Sequence, residues 1–343
     1  MPRPLPNWLE WTDVPAAPEL RNFTRDQLLD ALAERVRNDA TLHSQNSALD
    51  RLRRFGEMLQ VEIDCHENRY SRQRLHDSFQ SVAGHVPGVR EVVAAGMFVD
   101  VGCGSWNPFA LSALFLAGGA RRSLALDMDP PASPARAVRA IAEVWGMMLM
   151  SPTAILGGPL LSREQIQRHI ADFDFEALLR GETRALEGSR LCHHLGDAAA
   201  MPLADGAASL TSSNAFLEHV ADPLAVVREL YRITPRGGYQ VHVVDATDHR
   251  RYSDASFGPL DHITDDGYRQ DMAYTVAGIT YQMNGLRPRQ FATVFEQVGF
   301  RVVSYQGFHA TELPRGKRLA APFRDLPPNV LGEGMARIVV TRT

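Results

Sequence analysis

The sequence predicts an α/β fold built on a mostly parallel sheet, and three observations predict it. Short apolar runs recur along the chain, separated by segments with helical spacing, which is the pattern of a parallel sheet with crossover helices. One of these runs, Met97 to Val101, passes through two glycines, Gly102 and Gly104, into an apolar segment from Phe109 to Ala117. A strand, a glycine turn and a helix in that order bring bare backbone close to a ligand. A second run, Ser123 to Met128, places Asp127 about 20 residues beyond the glycine turn, where an acid can accept ribose hydroxyls.

Each element follows in order. Residues 1–22 are proline-rich, carry Trp8 and Trp11, and predict an irregular arm. Thr24 to Gln27 forms a capping box ahead of Leu28, Leu29, Leu32 and Val36, so a helix runs to about Asn38. Further helices are expected over Ser44–Gln60 and from about Tyr70, the last with Leu75, Phe79 and Val82 on one face. Residues 1–95 are thus expected to form a helical cap, either a lid or a structural appendage. The first strand is Met97–Val101, and Asn107-Pro108 opens the next helix, with Pro108 in its first turn. Strand two ends at Asp127. Ser133-Pro134 starts a helix to Met150, a Pro/Gly break covers Pro152 to Pro159, and Ser162 to Gln165 caps a helix with Ile166, Ile170 and Phe173 inward. Residues 130–190 are longer than a crossover needs and form a helical insertion. In it, Met147, Met148 and Met150 suit either an adaptable pocket or plain core.

A short strand near His193 to Gly196 leads to Asp197-Ala198, and Ala208 to Asn214 is the fourth strand. Asp222-Pro223 caps a helix with Leu224, Val227, Leu230 and Tyr231 inward, stopped by Pro235 to Gly238. Tyr239 to Val244 is the fifth strand. A loop from residue 245 to 286 follows. Arg287 to Val298 is an amphipathic helix ended by Gly299, and strands six and seven cover Arg301–Gln306 and Ala336–Thr341.

Composition narrows the function. The chain is 45% hydrophobic and 22% charged, with net charge −4 and no dense basic run, so a nucleic-acid backbone is not its expected partner. No apolar stretch approaches spanning length, so no membrane partner is expected. Cys65, Cys103 and Cys192 are far apart, and with no signal peptide evident at the N-terminus the expected compartment is the cytoplasm. No His, Asp, Glu or Cys grouping shows metal-ligand spacing, so no metal is expected. A homodimer through the cap is possible.

The third position of a nicotinamide-type G-x-G-x-x-G turn is occupied here by Asn107, so that fingerprint fails. The pattern Asp100-x-Gly102-x-Gly104 instead resembles motif I of the class I S-adenosylmethionine-dependent methyltransferases. Trp106 stands where that family often has a third glycine. The later matches are Asp127-Met128, Gly196-Asp197-Ala198, Met201 to Gly206, and Leu217-Glu218-His219-Val220. The resemblance covers residues 96–343. It implies a Rossmann-like, seven-stranded sheet with its last strand antiparallel between the fifth and sixth, and S-adenosyl-L-methionine as cofactor. It also implies roles. Asp100 would reach the amino acid end of the cofactor, with Gly102, Cys103, Gly104 and Asn107 in the loop beside it. Asp127 would take the ribose, Met128 the adenine face, and Asp197 with Ala198 the adenine edge. Asn214 and His219 would lie beside the sulfur.

Methyl transfer from a sulfonium needs alignment above all, and a base when the acceptor is a hydroxyl. The 245–286 loop holds His249 and His262, the candidate bases, each of which can equally be structural. Asn284 and Arg287 are candidates for binding a polar acceptor group, or form a cap network for the helix beginning there. Ser213-Asn214-Ala215-Phe216 differs from the Asn/Asp-Pro-Pro-aromatic motif of the family's nucleic-acid and glutamine amine methylases. The expectation is a methyltransferase for a small-molecule acceptor, with oxygen favoured over nitrogen or carbon. A non-methylating enzyme on the same fold and a silent scaffold are the rivals.

Overall fold

The computed structural model describes residues 72–343, apart from 106, 151, 157–160, 253–255, 265–272, 277–278, 311–312 and 314–315. The expected arm and first two helices lie outside the described residues. Nine strands are described: β1 (Met97–Val101), β2 (Arg122–Asp127), β3 (Leu191–Leu195), β4 (Ala208–Asn214), β5 (Tyr239–Asp245), β6 (Ala273–Val276), β7 (Ile279–Gln282), β8 (Phe300–Ala310) and β9 (Glu333–Arg342).

Seven of them form one sheet in the order β3-β2-β1-β4-β5-β9-β8. β1 runs parallel to β2 and β4, and β4 runs parallel to β5. β9 is antiparallel to both neighbours, β5 and β8, as expected for the last strand. The direction in which strands are added reverses between β1 and β4, and in such sheets ligands bind beyond the carboxyl ends at that point. β6 and β7 make a separate two-stranded hairpin inside the segment expected to be a plain loop.

The chain packs as two compact units. The larger comprises residues 85–105, 120–130 and 192–343. β1 is Met-Phe-Val-Asp-Val, buried from Phe98 onward, because a central strand has no wet face. β4 is buried along Ala208–Ser213 although four of those six residues carry hydroxyls. Three of the four hydroxyls find partners across the sheet: Ser209 Oγ donates to the Met97 carbonyl, Ser212 Oγ to Asp100, and Ser213 Oγ pairs with His242 Nδ1 at 2.8 Å, while Thr211 Oγ1 has no partner among the described residues. The helix Pro223–Ile233 starts where Asp222 accepts the Ala225 N–H at 3.0 Å. It buries Val226, Val227, Leu230 and Ile233 in a core with Val99, Leu124, Phe291, Phe295 and Ile338. Helix Pro288–Val298 ends at Gly299, whose φ of 113° suits a residue without Cβ.

Among the described residues, the other unit draws on residues 72–84, 107–119 and 131–191. Helix Pro134–Met150 runs its full expected length, and Trp145 is its anchor. Trp145 is fully buried, meets the Phe173 ring edge-on at 4.7 Å, and donates its indole N–H to the Ala113 carbonyl at 2.9 Å. Met148 is fully buried core. The Ser162–Gln165 capping box forms with both of its hydrogen bonds. Helix Arg72–Ala83 joins the insertion, where Gln80 donates to the Leu156 carbonyl at 2.8 Å and Phe79 packs on Phe115. One local expectation is corrected. Helix Ala110–Ala117 begins after Phe109, so Pro108 precedes the helix instead of lying in its first turn. Among the described residues no helix is long and apolar enough to cross a membrane.

Candidate active site

The carboxyl ends of β1, β2 and β3 all belong to the larger unit, and backbone hydrogen bonds tie them together. Gly102 N and Cys103 N both donate to the Leu126 carbonyl, at 2.8 and 3.1 Å. Gly196 N donates to the Asp127 carbonyl at 2.9 Å. The Asp127 carboxylate accepts the Gly104 N–H at 2.7 Å and the Asp129 N–H at 3.0 Å. A carboxylate has roughly four lone-pair positions, so about two remain for further donors.

The two glycines serve different ends. Gly102 has φ +71°, and a Cβ there would lie 2.4 Å from Phe216 Cδ2 and 2.8 Å from Phe216 Cβ. Gly104 has φ +76°, and a Cβ there would meet nothing within 4 Å among the described residues. Open space thus lies next to the Asp127 carboxylate. Beside it, Met128 at the end of β2 and Leu195 at the end of β3 are 74% and 50% exposed, the two large apolar side chains left in solvent among the described residues. A carboxylate with acceptor capacity left, a loop without side-chain bulk and two unshielded apolar side chains fit a nucleoside: hydroxyls on Asp127 and a base against Met128 and Leu195. Leu195 was missed from sequence because it is simply the last residue of a strand. Asp197 caps its own turn through Oδ1 to the Ala199 N–H, and Ala198 is buried.

Asp100 is buried in β1 and accepts from Ser212 Oγ at 3.2 Å. Burial, with a lesser push from Asp127, raises its carboxyl to about 7. Burial foremost, with the Asp100 and Asp127 charges, pushes the Cys103 thiol far up, so it is an inert small filler of the turn. Asn107 lies in the other unit. Its two side-chain amide atoms are buried without a hydrogen-bond partner among the described residues.

Beyond β4 the chain turns sharply. Asn214 is exposed, and Ala215 takes φ +49°, a left-handed conformation that costs a non-glycine residue about 1–2 kcal/mol. The turn drives Phe216 over Gly102 and delivers Glu218 and His219. Glu218 is fully buried, and its Oε1 accepts the Asp245 N–H at 3.0 Å at the end of β5. His249 follows β5. Its ring lies 5.1 Å from the His219 ring, and its Nε2 is 3.8 Å from Asp245 Oδ2. The donor atoms of Glu218, His219 and His249 all lie within 4.8 Å of one another. No sequence spacing links these three residues: 29 residues and a strand separate His249 from Glu218 and His219, and folding removes that distance. Burial lowers His249 to about 4 and holds Glu218 well above the carboxylate range, with Asp245 adding to the latter.

The remaining candidates are placed otherwise. His262, expected as the second base, is enclosed, with Phe323 edge-on and its Nε2 3.3 Å from Arg287 Nη1. Burial and the Arg287 charge hold its ring well below the usual imidazole range. Arg287, expected to bind the acceptor, has no exposed surface and donates to the carbonyls of Ala246, Leu331 and Glu333. Its fork braces three chain segments and presents nothing to a ligand. Asn284, expected beside it, donates to the carbonyls of Leu217 and Val220 and accepts the Leu286 N–H. It holds the Glu218–His219 turn in place.

Residues 161–242 match the family model of the methyltransferase domain. The match takes in Asp197, Ala198, Asn214, Glu218 and His219. No curated protein matches the chain. Among solved structures, the chain is similar to geranyl diphosphate methyltransferase in complex with S-adenosylmethionine. The identity is 12% and the TM-score 0.42, covering 89% of this chain and 95% of that one. It is also similar to a methyltransferase from Methanosarcina mazei at 14% identity and a TM-score of 0.40, covering 75% of this chain and 97% of that one. Both similarities are remote in sequence and in superposition. The family match over residues 161–242 lies within a sheet whose strand β9 runs antiparallel between β5 and β8, the arrangement expected of a class I S-adenosylmethionine-dependent methyltransferase.

Proposed function

We propose that the chain methylates a hydroxyl of a small-molecule acceptor. The observation that carries this reading is the cluster of Glu218, His219, His249 and Asp245 beyond β4 and β5. A sulfonium methyl needs no activation of its leaving group, so an amine acceptor needs little beyond alignment. A hydroxyl must lose its proton, and a site dense in imidazole and carboxylate is suited to that. The bound cofactor supplies the electrophilic methyl group. Asp127 takes the ribose hydroxyls, Met128 and Leu195 flank the adenine, and Asp197 with the Ala198 backbone meets its edge. Asp100 and Gly102–Gly104 border the amino acid end. His249 is neutral at neutral pH, with Asp245 beside it to steady a proton it receives.

The test has two steps. S-adenosylmethionine is titrated calorimetrically into the intact protein and into Asp127→Ala. Loss of two charge-assisted hydrogen bonds at about 1.5–3 kcal/mol each predicts roughly a hundredfold weaker binding or more. A panel of alcohols, phenols, amines and carbon acids is then screened with labelled cofactor. Label found on nitrogen or carbon, and none on oxygen, would refute the hydroxyl reading.

A further inference from the structure

We propose that Glu218, His219 and His249 bind a divalent transition-metal cation, placed beyond the ends of β4 and β5 to coordinate the acceptor oxygen. The placing of the acceptor rests on the function proposed above; the cation site does not.

Three donor atoms, one carboxylate oxygen and two imidazole nitrogens, already lie within 4.8 Å of one another. Bonds of about 2.1 Å in tetrahedral geometry would set them roughly 3.4 Å apart, a closure small enough for side-chain rotation. The second observation is independent of that distance. Glu218 is fully buried, its Oε1 accepts the Asp245 N–H and lies 4.0 Å from His219 Nε2, and its Oε2 has no hydrogen-bond partner among the described residues. No lysine or arginine among the described residues pairs with it, and Asp245 adds a second buried acid nearby. A buried carboxylate oxygen with no donor is costly, and a cation is the group that would satisfy it.

The backbone around these ligands is braced. Asn284 donates its N–H to the Glu218 carbonyl at 2.8 Å and its amide to Leu217 and Val220. Met283 Sδ lies 3.1 Å from His249 Nδ1 and helps to orient the ring. Such outer contacts keep metal ligands in position. Two imidazoles with one carboxylate suit Zn²⁺, Fe²⁺, Mn²⁺ or Co²⁺ better than Mg²⁺ or Ca²⁺. Three protein ligands leave positions open for the acceptor. With a cation bound, His249 would serve as a ligand instead of the base, and an acceptor hydroxyl coordinated there would give up its proton to water more readily. Its oxygen then forms the O–CH₃ bond as the S–CH₃ bond breaks, and the sulfonium leaves as a neutral thioether.

The experiment titrates Co²⁺ into the chelator-treated full chain and follows its visible ligand-field bands. The expected result is saturable binding of a single equivalent. It should weaken by about ten- to a hundredfold or more in Glu218→Gln, His219→Ala and His249→Ala, since even outer-shell changes cost that much. His219 is the least enclosed of the three, so His219→Ala is the variant least able to disturb folding, and its melting curve reports whether it is folded. Addition of Co²⁺ should raise the melting temperature of the intact chain and not of a folded His219→Ala. Absence of saturable binding by the intact protein would overturn the proposal, as would binding that all three substitutions leave unchanged. Failure of the function reading would show separately, as no S-adenosylmethionine binding with or without Co²⁺.

Discussion

Alanine at Gly102 and alanine at Gly104 should harm this protein in different ways, although the glycines are two residues apart and share a left-handed backbone. At Gly102 the new Cβ would stand 2.4, 2.6 and 2.8 Å from Cδ2, Cγ and Cβ of Phe216. Cβ and Cγ cannot swing aside by ring rotation, so the Phe216 backbone must move, and Ala215 already holds it in a strained turn. The left-handed conformation costs a non-glycine residue about 1–2 kcal/mol and overpacking about 1–3 kcal/mol, which totals roughly 2–5 kcal/mol. At Gly104 only the conformational cost of about 1–2 kcal/mol applies, because the Cβ would enter open space. Urea unfolding of both variants measures the difference as a shift in midpoint. A cycle with Phe216→Ala isolates the clash: the paired substitution should recover the overpacking part of the loss at Gly102 and none at Gly104. Cofactor titration should show the converse, with Gly104→Ala weakening S-adenosylmethionine binding while the fold persists. Equal stability losses at the two positions, or no recovery in the cycle, would refute the reasoning.

Other outcomes follow from buried groups. His242 is fully buried between Ser213 and Gln240, and burial lowers its ring from 6.5 to about 3. The native state therefore stays neutral while the unfolded chain takes up a proton below pH 6.5, so stability falls as pH drops from about 6.5 to 3. The shift of about 3.5 units corresponds to at most roughly 5 kcal/mol. His249 and His262 act in the same direction, and His242→Gln should flatten the acid limb of a melting-temperature profile. Trp145→Phe removes the donor to the Ala113 carbonyl and leaves a small cavity, so it should cost about 2–4 kcal/mol in urea. Arg287→Met should destabilise by about 3 kcal/mol or more by orphaning three carbonyls, while acceptor KM in the folded fraction stays unchanged. Normal stability with a raised KM would return Arg287 to acceptor binding.

What was legible in the sequence was what neighbours along the chain decide. The Ser162–Gln165 box, the Asp222 cap and the Gly299 stop are each closed by groups within four residues, so composition and spacing predict them. The strands were legible because a buried strand is an apolar run; their ends shifted, as with β8, which extends to Ala310. Arg287 misled because a surface cation and a buried one look alike in sequence. Only the carbonyls of Ala246, Leu331 and Glu333, which no pattern links to it, set its role. The β6–β7 hairpin was missed as well.

By itself the sequence determined the order of strands and helices and the placement of Asp100, the glycine turn and Asp127 at strand ends. Those follow from local sterics and from hydrophobic periods that span a few residues. Tertiary structure alone decided which glycine is constrained by Phe216, that Met128 and Leu195 stand bare beside Asp127, and that Glu218 and His219 meet His249. These are pairings across adjacent strands. Strand order in the sheet fixes such contacts, and their sequence separation carries no trace of them.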